Sequence, residues 1–108
     1  EGMIEIAGTW RDTDIRTHEI TSEWWMIGWE GMYTVALYDN ESDFALLELS
    51  DRWYRFEWTR DVYGNLYYCR SGEGDTMAEA LFLPSSDPTD ILSGCGAEES
   101  PWRLLSPM

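Results

Sequence analysis

His18 is the one imidazole in the chain, and Glu19 beside it raises the question of an acid–base pair. Adjacent residues of a strand point to opposite faces, so the two side chains part. No Ser or Cys stands at a spacing that would make it a nucleophile for His18, and a hydrogen-bonded or surface imidazole is expected. The acidic turns Asp39-Asn40-Glu41-Ser42-Asp43 and Asp12/Asp14 carry oxygens that suit calcium. They lack the EF-hand spacing with its Gly and closing Glu, and read as solvated turns. Glu48 and Glu57 could stand ~5–10 Å apart, as glycoside hydrolysis requires, but any acidic β protein offers many such pairs. Gly64 and Gly72-x-Gly74 are followed by no Lys, so no phosphate loop is present. The reading is therefore non-enzymatic, with no cofactor and no metal site.

The tryptophans are the better lead. Trp24, Trp25 and Trp29 crowd into one short stretch, and Trp10, Trp53, Trp58 and Trp102 lie elsewhere. Trp24 and Trp25 must face opposite sides of a strand, and Trp53 is out of phase with Tyr54, Phe56 and Trp58. One inner face cannot use them all. Two readings follow. Either the surplus fills a barrel and packs its rims, or Trp24, Trp29, Trp53 and Trp58 bind an apolar or sugar-like ligand.

The formal charge is −14, from 21 acidic residues against seven basic ones, all arginine. That field repels nucleic acid and anionic lipid surfaces. Without lysine there is no Schiff base and no Walker-type phosphate contact. Cys69 and Cys95 suit a disulfide, with buried free thiols and zinc as alternatives; zinc fits poorly beside one His and no Cys-x-x-Cys. No stretch approaches the ~18–20 apolar residues of a transmembrane segment. The start at Glu1, without Met or an apolar signal region, reads as a processed domain.

Residues 1–108 read as a single domain of short aromatic and β-branched runs separated by turns. Strands are expected over 4–11, 16–21, 23–27, 32–38, 44–49, 53–59, 66–70 and 102–105. The Ile4/Ile6/Gly8/Trp10 and Tyr54/Phe56/Trp58 alternations mark buried faces. Gly64-Asn65 supplies a hairpin turn. Thr76-Met77-Ala78-Glu79 is a capping box, opening a helical run through about Phe82. Asp87-Pro88 reads as a second helix start and Gly94 as its stop. The fold class is mainly all-β: a small up-and-down, eight-stranded, lipocalin-like barrel with short helices between its last two strands. The alternative is a two-sheet β-sandwich.

Over most of its length the chain resembles a group of uncharacterised small secreted or lipid-anchored proteins of Gram-negative bacteria. Ile6-Ala7-Gly8-Thr9-Trp10, Tyr38-Asp39-Asn40, Tyr54-Arg55-Phe56-Glu57-Trp58, Leu66-Tyr67-Tyr68-Cys69, Gly94-Cys95-Gly96, Pro101-Trp102 and Leu104-Leu105 carry the resemblance. It implies an extracytoplasmic location (periplasmic, secreted or surface-anchored) and supports the Cys69–Cys95 disulfide, but implies no activity. Ala97-Glu98-Glu99-Ser100 departs from the shorter, aromatic link expected before Pro-Trp. The partner is accordingly an unidentified small molecule bound through tryptophans. The alternative is a protein, contacted by a filled barrel that takes no small-molecule ligand.

Overall fold

In the computed structural model, which describes residues 3–108, eight antiparallel strands close into an up-and-down barrel. They are β1 (Gly8–Asp12), β2 (Thr17–Ile20), β3 (Trp24–Ile27), β4 (Gly31–Asp39), β5 (Phe44–Leu49), β6 (Arg52–Arg60), β7 (Leu66–Gly74) and β8 (Arg103–Pro107). β1 pairs with β8, Arg11 opposite Ser106, so no edge is left open and the sandwich alternative is set aside.

The period-2 alternation sorts the side chains. Ile20, Trp25, Ile27, Tyr33, Phe56, Trp58, Leu66, Tyr68 and Leu105 point inward and are buried in one core. Trp25 lies edge-on to Phe56 at 4.8 Å between centroids, a favoured aromatic geometry. The interior is therefore filled with side chains.

The first strand begins later than the alternation suggests. Ile4 and Ile6 are both buried, but residues 4–7 form a turn in which Ala7 N–H donates to the Ile4 carbonyl at 3.1 Å. Gly8 then enters β1 at φ +146°, a backbone setting that disfavours a side chain. The segment thus folds inward as a plug across one barrel end. Its period matches a strand because alternate residues must still reach the core.

β7 runs on to Gly74, with a bulge opposite Arg55/Phe56, and its extension carries the chain to the helical excursion. Helix α1 (Met77–Leu81) is capped by Thr76, whose Oγ1 accepts from Glu79 N–H at 3.1 Å. Glu79 reaches back one residue further than a capping box requires, to Asp75 N–H at 2.7 Å. The expected second helix does not form. Residues 87–94 make successive turns instead, with Asp87 N–H donating to Gly94 O and Gly94 N–H to Asp90 O. Asp87 Oδ1 accepts from Thr89 N–H and Oγ1, so the Asp-Pro pair starts a turn rather than a helix. A Cβ at Gly94 would lie 2.2 Å from the Asp87 carbonyl, which explains a glycine there.

The excursion lies against the outside of β5–β7. Gly72 admits Leu83, since a Cβ would meet its Cδ1 at 2.2 Å. Cys69 and Cys95 are bonded at a Cα–Cα distance of 5.7 Å, beside buried Trp102. Arg55 fastens the other end. Only 5% exposed, it donates to Ser71 Oγ at 3.0 Å, Leu81 O at 3.1 Å, Leu83 O at 2.7 Å and Pro84 O. Arg55→Ala would orphan these carbonyls and is expected to destabilise the fold by about 2–4 kcal/mol. Urea denaturation measures it, and a loss below about 0.5 kcal/mol would contradict the role.

Candidate functional site: the charged mouth of the barrel

The barrel end opposite the plug is formed by the 13–16, 28–30 and 50–51 turns and the long 75–102 connection. Its chemistry begins deep inside. Trp25 Nε1–H donates to His18 Nδ1 at 3.0 Å, which leaves the ring proton on Nε2, donated to Asp12 Oδ2 at 2.8 Å. His18 is fully buried. Burial pushes its pKa below the ordinary value, opposed by Asp12, and so holds the ring neutral. Burial would raise the Asp12 pKa, but hydrogen bonds from His18 and the Arg16 backbone, with the Arg16 charge, lower it overall. With both ring nitrogens committed, His18 serves to order the core.

Above that chain lies an ionic layer. Arg16 donates Nε–H to Asp12 Oδ2 at 3.0 Å and Nη1–H to Glu30 Oε2 at 2.5 Å, and its Nη2 reaches the Tyr68 hydroxyl at 3.3 Å. Glu30 Oε1 also accepts from Tyr33 O–H at 2.6 Å and Arg70 Nη2–H at 2.5 Å. Burial would raise the Glu30 pKa; the Tyr33 hydrogen bond and the Arg70 and Arg16 charges reverse this and keep it ionised. Burial, reinforced by Glu30, pushes the Tyr33 hydroxyl far above its usual range. The Arg70 guanidinium stands 5.7, 5.3 and 5.6 Å from the ring centroids of Tyr33, Tyr54 and Phe56, within cation–π reach of all three.

Outside the layer is a cleft of about 450 Å³, bordered by Arg16, Glu30, Arg70, Glu98 and Arg103 and walled by the disulfide. Three of the seven arginines in a strongly acidic chain meet here. Each is paired with a carboxylate, Arg103 with Asp14 at 2.7 Å. Such a lining suits a polar ligand that exchanges hydrogen bonds with guanidinium and carboxylate groups.

The four tryptophans singled out in the sequence are not brought to this cleft or to one another. Trp58 is buried in the interior at the plugged end, its Nε1–H donating to Glu5 Oε2 at 2.7 Å. Trp29 is 84% exposed on the turn between β3 and β4. Trp24 and Trp53 are half-buried on the outer wall, in one cross-strand row through Thr34 and Glu48. Trp24 Nε1 is buried without a hydrogen-bond partner.

Of the carboxylates weighed earlier, Asp12, Asp14, Asp39 and Glu57 have structural partners, and Glu57 stands opposite Phe44, four residues along β5 from Glu48. Asp39 Oδ1 accepts from Glu41 and Ser42 N–H in the acidic turn, and Glu57 accepts from Ser86 Oγ–H at 3.1 Å. Among the described residues no group of three His, Cys, Asp or Glu is arranged to hold a metal. The Asp12–His18–Trp25 chain escaped sequence reasoning, which left His18 between a hydrogen-bonded and a surface position and did not decide which of Trp24 and Trp25 faces inward; the structure buries His18 and Trp25. Glu30 and Tyr33 are near neighbours in sequence, but Arg70 joins them from β7, 37 to 40 residues away, and left no local signature. Comparison with known proteins adds no relative: no family model, no curated protein and no solved structure matches the chain.

Proposed function

We propose that this protein is a non-enzymatic, extracytoplasmic barrel that contacts another protein through its outer wall. The packed interior carries the reading. Trp25, Tyr33, Phe56 and Tyr68 fill the volume that a ligand-carrying barrel keeps empty. The outer faces of β5–β7 are occupied by the excursion, whereas β1–β4 carry a row of Thr9, Glu19, Met26 and Met32. Met32 is 52% and Leu37 44% exposed. Adaptable methionine side chains suit a partner surface. The disulfide favours an oxidising compartment, and no helix among the described residues is long and apolar enough to cross a membrane. The resemblance to secreted or lipid-anchored Gram-negative proteins belongs to the same proposal.

The polar cleft favours a second reading, in which a small sugar-like ligand binds at the mouth rather than on the tryptophans. Three measurements test these readings. Tryptophan fluorescence and thermal shift at pH 6 are expected to show no saturable uptake of a fluorescent fatty-acid analogue; one-to-one binding would overturn the filled-barrel argument. A saccharide that raises Tm in the parent but not in Arg103→Ala would replace the first reading with the second. A photo-crosslinker at position 32, in the source cells, should give a discrete protein adduct absent from position 62. Equal labelling at both positions would count against the outer-wall contact.

A further inference from the structure

The proposed function does not use His18, the only imidazole in the chain. The ring is fully buried, and so is the Asp12 side chain bonded to it. Trp25 Nε1–H donates to His18 Nδ1 at 3.0 Å, and the ring's own hydrogen runs from Nε2 to Asp12 Oδ2 at 2.8 Å. An indole N–H can only donate, so Nδ1 must stay free of hydrogen for that bond to exist. Protonation would set two N–H groups against each other. Turning the ring over gives no relief, because both nitrogens of an imidazolium carry hydrogen. Nor can the indole withdraw alone. It is fully buried, 4.8 Å from Phe56 and 5.7 Å from Tyr68 between centroids, and the Tyr68 ring stands 4.9 Å from His18.

We infer that the Asp12–His18–Trp25 chain is an acid trigger: a proton taken up at His18 Nδ1 expels the Trp25 N–H and loosens the mouth end of the barrel. Asp12 carries the effect outward. Its Oδ2 accepts from Arg16 Nε–H at 3.0 Å as well as from His18, while Oδ1 accepts the Asp14 and Arg16 amide hydrogens, both at 2.9 Å. Arg16 in turn holds Glu30 at 2.5 Å, so the 13–16 and 28–30 turns are both tied to the carboxylate that grips the ring.

The charged and titratable groups facing His18 are Asp12 from β1, Arg16 and Glu30 from the mouth turns, and Tyr68 from β7. Burial, the largest cause, opposes a charged ring, as does Arg16; Asp12 and Glu30 favour it, and the balance leaves the pKa below its ordinary 6.5. Burial also keeps the Tyr68 phenol neutral, pushed up to about 12. Between the lowered folded value and 6.5, a released His18 binds a proton that the folded ring refuses. Its contribution to stability is therefore fully present above pH 6.5 and is lost as pH falls through the folded value. Asp43, at the plugged end, is pushed up to about 7 by burial and by Glu5 and acts over the same range with the opposite sign. Local signals, rather than global stability, therefore read the trigger.

NMR of the ring nitrogens with hydrogen exchange supplies them. At pH 7 His18 should be the Nε2–H tautomer. On acidification its protonation should coincide with about a tenfold loss of protection, corrected for intrinsic rates, at the Trp25 indole and the Arg16 amide. The Ala45 and Leu47 amides of β5 should stay protected through that step. Trp25→Phe removes the opposing donor and should raise the His18 pKa by about one pH unit, the equivalent of one hydrogen bond. His18→Gln donates and accepts but takes up no proton. It should make Arg16 amide protection independent of pH between about pH 7 and pH 5, and serves if the first variant folds poorly. Four results would overturn the trigger: a protonated His18 with the indole still protected, an unchanged or lower pKa in Trp25→Phe, equal loss of protection in His18→Gln, or a ring that stays neutral until all amides exchange together.

Discussion

Trp25→Ala should leave the chain largely unfolded at 37 °C. The indole is fully buried at the centre of the aromatic cluster, in ring contact with Phe56, Tyr68 and His18. Emptying such a site removes about 3–5 kcal/mol through lost transfer energy and the cavity left behind. A second loss adds to it: His18 Nδ1 would lose its donor in a dry environment, at about 1–3 kcal/mol. Together these approach the ~5–15 kcal/mol net stability of a typical domain. Far-UV circular dichroism and a urea titration decide the matter. Trp25→Phe, which keeps much of the volume but not the N–H, should fall between parent and alanine variant. A cooperative transition of unchanged midpoint in Trp25→Ala would show that the interior is not packed as described.

The second large effect concerns the disulfide. Cys69 and Cys95 are 26 residues apart, so the bond restricts the unfolded chain by roughly 3.5 kcal/mol on the loop-entropy model. The Cys69→Ser/Cys95→Ser double variant should lose about that amount. The loss should be uneven across the molecule. Residues 75–102 are held to the barrel by the bond, Arg55 and Trp102, whose Nε1–H donates to Asp87 O at 3.0 Å. Limited proteolysis should therefore cut the double variant first near the exposed 87–92 turns, while strands β2–β6 stay intact. Uniform digestion, or resistance equal to the parent protein, would argue against a local clasp.

Much of the barrel was legible because inward and outward residues alternate. Phe44–Leu49 was placed with its observed bounds, and Tyr54, Phe56 and Trp58 share the inner side as their phase indicates. The same alternation misled at residues 4–7, where a plug and a strand impose one period on the sequence. Asp87-Pro88 misled differently, since one dipeptide starts helices and turns alike. The capping box was readable because it is local. Around the mouth, Asp12, Asp14 and Arg16 are close in sequence, and so are Glu30 and Tyr33. These two groups, Arg70 and Arg103 come from separate parts of the chain, so their meeting depends on strand register. The surplus of tryptophan could be counted in the sequence; that Trp58 bonds Glu5 while Trp29 faces solvent could not.

Closure of β1 onto β8 also sets the order in which the chain can fold. Trp10 pairs with Pro107 and Asp12 with Leu105, so the contacts that complete the cylinder join opposite ends of the chain. Neighbouring hairpins can form early, over short loops, but the seam waits for the last strand and the most costly chain closure. Until β8 docks, β1 and β7 present unpaired backbone to any other chain nearby. A barrel whose strands emerge in chain order thus passes through an open, edge-exposed intermediate, and β8 is the zipper that ends it.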